Sequence, residues 1–132
     1  MLILKYVNHK KYLTGLYNLI NEIPFTLLTN IHPENRGDVA LYIKGEIIFV
    51  DRSEFHFKEY FITIPDLKKL AYSYHYQNHD KKLIFRYDNA AHYREIETYP
   101  YHKHVHNAVL NSGNMEIKAV IDEIIRILQQ RF

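Results

Sequence analysis

The sequence predicts an α+β protein in which an antiparallel meander sheet of about five strands carries an N-terminal and a C-terminal helix. Three observations predict this fold. Apolar residues recur at helical spacing near both ends of the chain, apolar and polar residues alternate through the middle, and only a few residues separate the alternating runs. Short connections of this kind join antiparallel neighbours. We expect the 132 residues to form one domain, residues 1–132, large enough to bury a core without disulfides or metal.

Both ends of the chain show the apolar spacing of a helix. The first predicted helix spans Asn8–Ile23 and ends before Pro24. In the second, the apolar residues at helical spacing are Ile117, Val120, Ile121, Ile124, Ile125 and Leu128. We expect Asn114 to be the N-cap of this second helix.

The middle of the chain reads as strands. The five predicted strands are Phe25–Ile31, Val39–Val50, Phe55–Ile64, Leu70–Gln77 and Leu83–Asp88. A polar turn over Pro33–Asp38 separates the first two. The following segment, Asn89–Gly113, shows no clear period, and we expect it to be an extended loop laid over the sheet. Long loops in compact domains are often functional.

Composition excludes several classes of protein. The absence of cysteine excludes disulfides, thiolate catalysis and cysteine zinc sites. The formal net charge of +2 is too small to indicate nucleic-acid binding by itself, although nine histidines can add charge near phosphate. The apolar residues Met1–Lys5 are too few for a signal peptide or a membrane span, and no other stretch approaches a spanning length. We therefore expect a cytoplasmic protein that makes no contact with a membrane.

Successive side chains of a strand point to opposite faces of the sheet, so odd and even positions of the Leu70–Asp88 hairpin lie on different faces. We expect Gln77 to lie opposite Lys82, which places all the hairpin's aromatic residues on one face. The other face then carries Ser73, His75, Arg86 and Asp88, joined from the third strand by Lys58 and Tyr60. Cations, an imidazole and hydroxyls on one face can bind a phosphodiester and move its protons. The alternative is an ordinary solvated sheet face, which is normally polar.

Glu59 falls on the aromatic side of the sheet by the same parity. A buried carboxylate needs a hydrogen-bonding partner or a raised pKa. Two roles stay open: a structural glutamate bonded to tyrosine hydroxyls, or a general base.

Six histidines lie between His75 and His106. His102, His104 and His106 point the same way if their segment is extended, and three imidazoles can hold a metal ion. No carboxylate falls in step with them along the chain, so we expect neither a metal nor another cofactor. Acid–base catalysis is the second interpretation, since a metal-independent ribonuclease needs a base, an acid and cations for the phosphate. Scattered surface histidines are the third.

Three motifs together indicate a family. They are Tyr74-His75-Tyr76-Gln77, Phe85-Arg86-Tyr87-Asp88-Asn89-Ala90 and Pro100-Tyr101-His102-Lys103-His104. With Phe57-Lys58-Glu59-Tyr60 and the closing amphipathic helix, they resemble the TumE-like toxins of bacterial and archaeal toxin–antitoxin systems. The residues that match the family pattern are Glu59, Tyr74, His75, Arg86, Asp88, Asn89, His92, His102, Lys103 and His104. The sequence departs from this pattern at five positions. The family often has proline where Ala91 stands, and histidine where Tyr93 and Tyr101 stand. Glycine is usual at the position of Lys81 and near that of His106.

The resemblance implies a toxin whose partner is a cognate antitoxin, a small helix-turn-helix protein. Many toxins of such modules are ribonucleases, so RNA is the substrate that the analogy suggests. The candidate catalytic residues are His75, Arg86, His92, His102, His104 and Glu59. The candidate nucleic-acid-binding residues are Lys58, Tyr60, Arg86 and Lys103, of which Arg86 and Lys103 would hold the phosphate.

Two other functions stay open, and so does the oligomeric state. A non-catalytic module could bind nucleic acid or protein through the same face, and a metal-dependent hydrolase could use histidine ligands. A second copy of the chain is a further candidate partner.

Overall fold

Seven strands form one antiparallel sheet in which each strand pairs with the next along the chain. The computed structural model describes the backbone of residues 2–37 and 39–132 and the side chains of residues 9–37 and 39–132. The strands are β1 (Thr26–Arg36), β2 (Ala40–Phe49), β3 (Glu54–Ile62), β4 (Lys68–Gln77), β5 (Leu83–Asp88), β6 (His102–Val105) and β7 (Ala108–Asn111). Helix α1 (Leu2–Asn21) precedes the sheet and helix α2 (Ile117–Gln129) follows it. Neither helix of the described chain is long and apolar enough to cross a bilayer.

The predicted α+β class and the meander order are confirmed, but the predicted number of strands was too low. The two additional strands, β6 and β7, lie inside the Asn89–Gly113 segment that we expected to be a loop. Each has only four residues, and β6 carries polar side chains on both faces. A strand of this kind has no apolar alternation, which is why the pattern did not reveal it.

Three predicted boundaries were wrong. Strand β1 continues to Arg36, so most of the turn expected over Pro33–Asp38 is strand; Asp38 itself lies outside the described residues. Most β1 side chains are exposed, as fits an edge strand, where a proline is tolerated. Helix α1 begins at Leu2 instead of Asn8. Helix α2 has Glu116 as its N-cap, so Asn114 lies before the cap.

Both helices pack on the same face of the sheet, which we call the core face. Its buried aromatic residues are Phe49, Phe55, Phe57, Phe61, Tyr72, Tyr74, Tyr76, Phe85 and Tyr87. The ring of Tyr12 in α1 lies 4.6 Å from that of Phe61, and the apolar side of α2 closes the other end of the core. The alternation of buried and exposed residues in β2 to β5 follows from covering one face and leaving the other open.

The β4–β5 hairpin has its aromatic residues on one face, as predicted, but the predicted register was wrong by two residues. Tyr76 pairs with Phe85 and Tyr74 with Tyr87, after an irregularity next to Gln77. An even shift leaves every side chain on its predicted face. The loop is closed by Lys81, whose φ of 63° is left-handed. Glycine adopts this conformation most readily, so we expect Lys81→Gly to be tolerated in this turn.

Substitution of Gly45 tests how tightly the core face is packed. A methyl group at this position would overlap the ring of the buried Phe57. We therefore expect Gly45→Ala to lower the free energy of unfolding by about 1–3 kcal/mol, measured by urea denaturation. Gly15→Ala is the matched control, because nothing lies within 4 Å of a methyl group there; it should stabilise the helix by about 0.5–1 kcal/mol. Equal effects of the two substitutions would contradict the packing.

Candidate functional site

The second face of the sheet, which we call the polar face, gathers residues from three neighbouring strands. Ser73 and His75 of β4 pair with Asp88 and Arg86 of β5. Arg86 and Asp88 pair in turn with His104 and His102 of β6. Because paired residues point to the same side, these six side chains lie on one continuous surface.

Asp88 is the centre of this surface. Its Oδ2 accepts a hydrogen bond of 3.0 Å from Nε of Arg86, and its Oδ1 accepts one of 3.1 Å from the backbone N–H of Ala90. Nε2 of His102 lies 2.7 Å from Oδ1, and Nε2 of His104 lies 3.6 Å from Oδ2. We call Arg86, Asp88, His102 and His104 the Asp88 cluster.

The segment between β5 and β6 covers the cluster. The ring of Tyr93 lies edge-on to the rings of His102 and His104, with centroids 5.0 and 5.4 Å away. The segment is tied to the end of β7 through Thr98, whose hydroxyl donates to the carbonyl of Tyr101 and accepts from the N–H of Ser112. This cover buries His102 almost completely, with 1% of its side chain exposed, on a face that is otherwise open. The part of the predicted loop that precedes β6 therefore lies over the sheet, whereas the rest of that segment forms β6 and β7.

A groove of about 280 Å³ opens beside the cluster and is lined by His56, Lys58, Ser73, His75 and Arg86. It is the place where the imidazoles of β3 and β4 meet, with ring centroids 6.5 Å apart. Two basic side chains, Lys58 and Arg86, share this lining with the two imidazoles. Basic side chains can bind an anion, and imidazoles beside them can transfer protons to or from it.

Hydrogen bonds along the groove set the proton positions of His75. The amide nitrogen of Gln77 donates to Glu54, which leaves its oxygen to accept from Nε2 of His75 at 2.9 Å. In the neutral ring, Nδ1 of His75 is then the unprotonated nitrogen. Burial lowers the pKa of His75, and the charge of Arg86 lowers it further against the bond to Gln77. The lowered pKa favours the neutral form of this imidazole, with the lone pair on Nδ1.

His56 is held differently, by a carboxylate. Its Nε2 donates to Oε1 of Glu54 at 2.9 Å. Hydrogen bonds from Lys81 and His56 lower the pKa of Glu54, so this carboxylate is ionised at neutral pH. His56 was not among the predicted site residues. The parity that placed Lys58 on the polar face also places His56 there, and this signal could have identified it.

The structure separates several predicted site residues from the groove. Lys103 lies on the core face, where its Nζ donates to Glu123 of α2 at 2.9 Å and sits 4.8 Å from the ring centre of Tyr87. Burial disfavours the charge of Lys103, but the bonds to Tyr87 and Glu123 outweigh burial and raise its pKa. His92 is exposed in the covering segment, and Tyr60 lies on the polar face, half-buried and beyond the groove lining.

Glu59 also lies on the core face, fully buried. Each of its carboxylate oxygens accepts a hydrogen bond of 2.5 Å, one from Tyr12 and one from Tyr74. Nζ of Lys69 lies 3.8 Å away. Burial raises the pKa of Glu59, and the two tyrosines and Lys69 offset only part of the rise. These contacts match the structural role that we considered for this residue, and they lie across the sheet from the groove.

The expected geometry of the histidine run was wrong in two respects. His106 lies in the β6–β7 turn with a φ of 53°, so it does not continue the row of His102 and His104. A carboxylate does fall in step with the histidines, because β5 places Asp88 directly beside His102. It comes from a neighbouring strand, so spacing along the chain could not show it.

A larger cavity of about 570 Å³ lies under α1, on the core side. Its lining is mostly aliphatic, including Leu16, Leu19 and Leu67, with Lys11 and Asp66 beside them. It offers apolar surface and no cluster of groups that exchange protons. The smaller groove is therefore the better candidate for chemistry.

Comparison with known proteins identifies the family. The family model described as Toxin TumE matches residues 16–132 of the chain. The chain belongs to the TumE toxin family. Membership indicates the toxin of a toxin–antitoxin system, whose partner is in general an antitoxin. We found no match among curated proteins and none among solved structures.

The raised pKa of Glu59 generates a prediction about stability. A group whose pKa is raised in the folded protein stabilises the fold below its ordinary pKa, and this contribution is lost as the pH rises through the raised value. Glu59→Gln removes the titration and keeps the size. We expect the free energy of unfolding of this variant, minus that of the wild type, to increase from about pH 4 towards about pH 8. Glu97→Gln, at an exposed position, is the control. A difference for Glu59→Gln that does not change with pH would contradict the assignment.

Proposed function

We propose that this TumE-family toxin is an endoribonuclease and that the groove on the polar face is its active site. The observation that carries the proposal is the meeting of two imidazoles with Lys58 and Arg86 in one groove. Cleavage of RNA by its own 2′-hydroxyl needs a base, an acid and cations beside the phosphate. The described groove contains one candidate for each of these roles.

His75 is the proposed base and His56 the proposed acid. Nδ1 of His75 takes the proton of the 2′-hydroxyl, whose oxygen attacks phosphorus. The bond from phosphorus to the 5′-oxygen breaks, and protonated His56 gives its Nδ1 proton to that oxygen. The products are a 2′,3′-cyclic phosphate and a 5′-hydroxyl. Every protein group in the proposed cleavage is a side chain, and no step of it uses a metal ion.

Arg86 and Lys58 stabilise the charge that builds on the phosphate. Arg86 is oriented by Asp88, which accepts from its Nε and leaves its terminal amino groups to face a ligand. Asp88 thus acts as a positioning residue, and the imidazoles of His102 and His104 lie beside its two carboxylate oxygens. Lys103, which lies across the sheet, does not enter this scheme.

The biological setting follows from the proposal. An RNA-cleaving toxin meets its substrate in the cytoplasm, and the cognate antitoxin would be a small helix-turn-helix protein that blocks the groove or its approach. A second copy of the chain is a further proposed partner.

Loss of a groove cation tests the proposal most simply. We expect Arg86→Ala to lower kcat/KM for a short RNA by about 10²–10³-fold, because it removes stabilisation of the transition-state charge. His75→Ala should lower it by about 10²–10⁴-fold, as expected for loss of a general base. The same variants should relieve growth arrest in cells that express the toxin. Arg126→Ala, an exposed arginine on α2, is the matched control and should behave as wild type.

The outcomes separate catalysis from simple binding. If wild-type protein cleaves no RNA, the ribonuclease proposal fails. If single histidine variants keep full toxicity while Lys58→Glu with Arg86→Glu abolishes it, the face is a binding surface and not an active site.

The pH dependence tests the role of His75 separately. The base must be unprotonated, and its pKa is lowered by burial. We therefore expect kcat/KM to rise with pH through an apparent pKa below about 6.5, the usual value for histidine. An acidic limb centred above that value would contradict the assignment of His75.

A further inference from the structure

A carboxylate and two imidazoles converge on one point behind the groove. The closest ligand atoms of Asp88, His102 and His104 all lie within 4.8 Å of one another. All three side chains are shielded from solvent: the exposed fractions are 11%, 1% and 12%, in that order. Groups of this kind are seldom left buried without a partner, because removing them from water is costly.

The two imidazoles nevertheless have a nitrogen each without a hydrogen bond. Nε2 of His102 and Nε2 of His104 are buried, and neither forms a hydrogen bond with any described residue. The distance of 2.7 Å from Nε2 of His102 to Asp88 is short, but its direction does not fit a hydrogen bond. Both nitrogens face the same carboxylate.

A hydrogen bond at Nδ1 of His102 determines which ring nitrogen is free to bind a ligand. Nδ1 lies 2.9 Å from the carbonyl of Pro100 and must donate to it, since a carbonyl only accepts. In the neutral ring, Nε2 therefore carries a lone pair, and this nitrogen lies beside the carboxylate of Asp88. Ligating histidines in metalloproteins show this arrangement, with the distal N–H held by a carbonyl or carboxylate.

We propose that Asp88, His102 and His104 form a binding site for one divalent transition-metal ion, and that zinc is the ion that fits best. One cation bound between the three side chains would give both buried Nε2 atoms a partner. Two imidazoles and one carboxylate are ligands that zinc accepts, and three protein ligands leave one position for water. Hard ions such as magnesium prefer oxygen ligands and are a poorer match.

The distances suit this ion. Ligand atoms around a tetrahedral zinc, with bonds of about 2.0–2.2 Å, lie about 3.3 Å apart. The observed separations are 2.7 Å from Nε2 of His102 to Oδ1 of Asp88 and 3.6 Å from Nε2 of His104 to Oδ2, and they lie on either side of that value. The three ligand atoms lie within 4.8 Å of one another, and all three residues stand on paired strands, so binding needs the side chains to close in on the ion without a change of the backbone pairing.

A buried imidazolium–carboxylate pair is the competing account of His102. It would give His102 a second N–H donor, but it leaves Nε2 of His104 without a partner. The metal site accounts for both nitrogens. It is also compatible with Arg86, which bonds Asp88 through one of several lone pairs that a carboxylate offers.

The proposed ion lies beside the groove and does not take part in the proposed cleavage. It would link β5 to β6 and hold the carboxylate that orients Arg86. Metal binding can therefore be measured without reference to RNA, and a failure of one proposal leaves the other standing.

The test is a metal titration of full-length protein without an affinity tag, after treatment with a chelator. We expect one equivalent of Zn²⁺ to bind, seen by calorimetry, and one equivalent of Co²⁺ to give the visible absorption of a tetrahedral site. Saturating Zn²⁺ should raise the Tm of the wild type, because the ion binds only the folded state. His104→Ala and Asp88→Asn should each weaken Zn²⁺ binding by more than about 100-fold, exceeding what loss of a distal partner costs.

His106→Asn is the matched control. It removes a histidine of the same hairpin that lies outside the site, and asparagine tolerates the left-handed turn. The proposal is overturned if the wild type binds no stoichiometric Zn²⁺, or if binding persists in both ligand variants. Equal loss in His106→Asn would indicate an adventitious surface site and would overturn it too. Circular dichroism checks that each variant is folded, and if both ligand variants unfold, the wild-type stoichiometry and Tm shift decide alone.

Discussion

Antiparallel pairing of each strand with the next is the constraint on which the other features depend. It gives the sheet two faces, and each residue's parity decides its face. The core face collects the aromatic rings under the two helices. The polar face collects the charged and imidazole groups, and no helix in the described chain lies over it. Parity alone therefore separates the candidate site from the packed core.

Asp88 is the residue through which the polar side chains of β5 and β6 on this surface contact one another. Its carboxylate orients Arg86 towards the groove and lies beside two buried imidazoles on β6. The segment after β5 then folds back over the histidines and excludes water from them. The run from Phe85 to Ala90, one of the three on which the family resemblance depends, thus has a physical interpretation. Arg86 and Asp88 lie in the candidate site, whereas Asn89 bonds the backbone of Leu70 and Tyr72 and extends the pairing of β4.

Much of this could be predicted from the sequence, and the failures have physical causes. Alternation gave the faces of β2 to β5 and the position of His75 opposite the aromatic row, because a half-buried sheet leaves that pattern. The β6–β7 hairpin was missed because its strands have only four residues each and β6 is polar on both faces, so neither strand shows an alternating pattern. The partnership of Asp88 with His102 was missed because it joins residues across strands. Lys103 was placed with the phosphate-binding residues because of its neighbours in the motif, although its parity sends it to the core face.

The claim that the polar face is where this toxin meets its target is most directly tested by nuclear magnetic resonance. A short RNA with 2′-O-methyl groups cannot be cleaved by its own 2′-oxygen, so it can be titrated into ¹⁵N-labelled protein. The account predicts shifts concentrated at Lys58, Ser73, His75 and Arg86, including the side-chain Nε of Arg86. Shifts confined to α1 and α2, or no shifts at all, would contradict it.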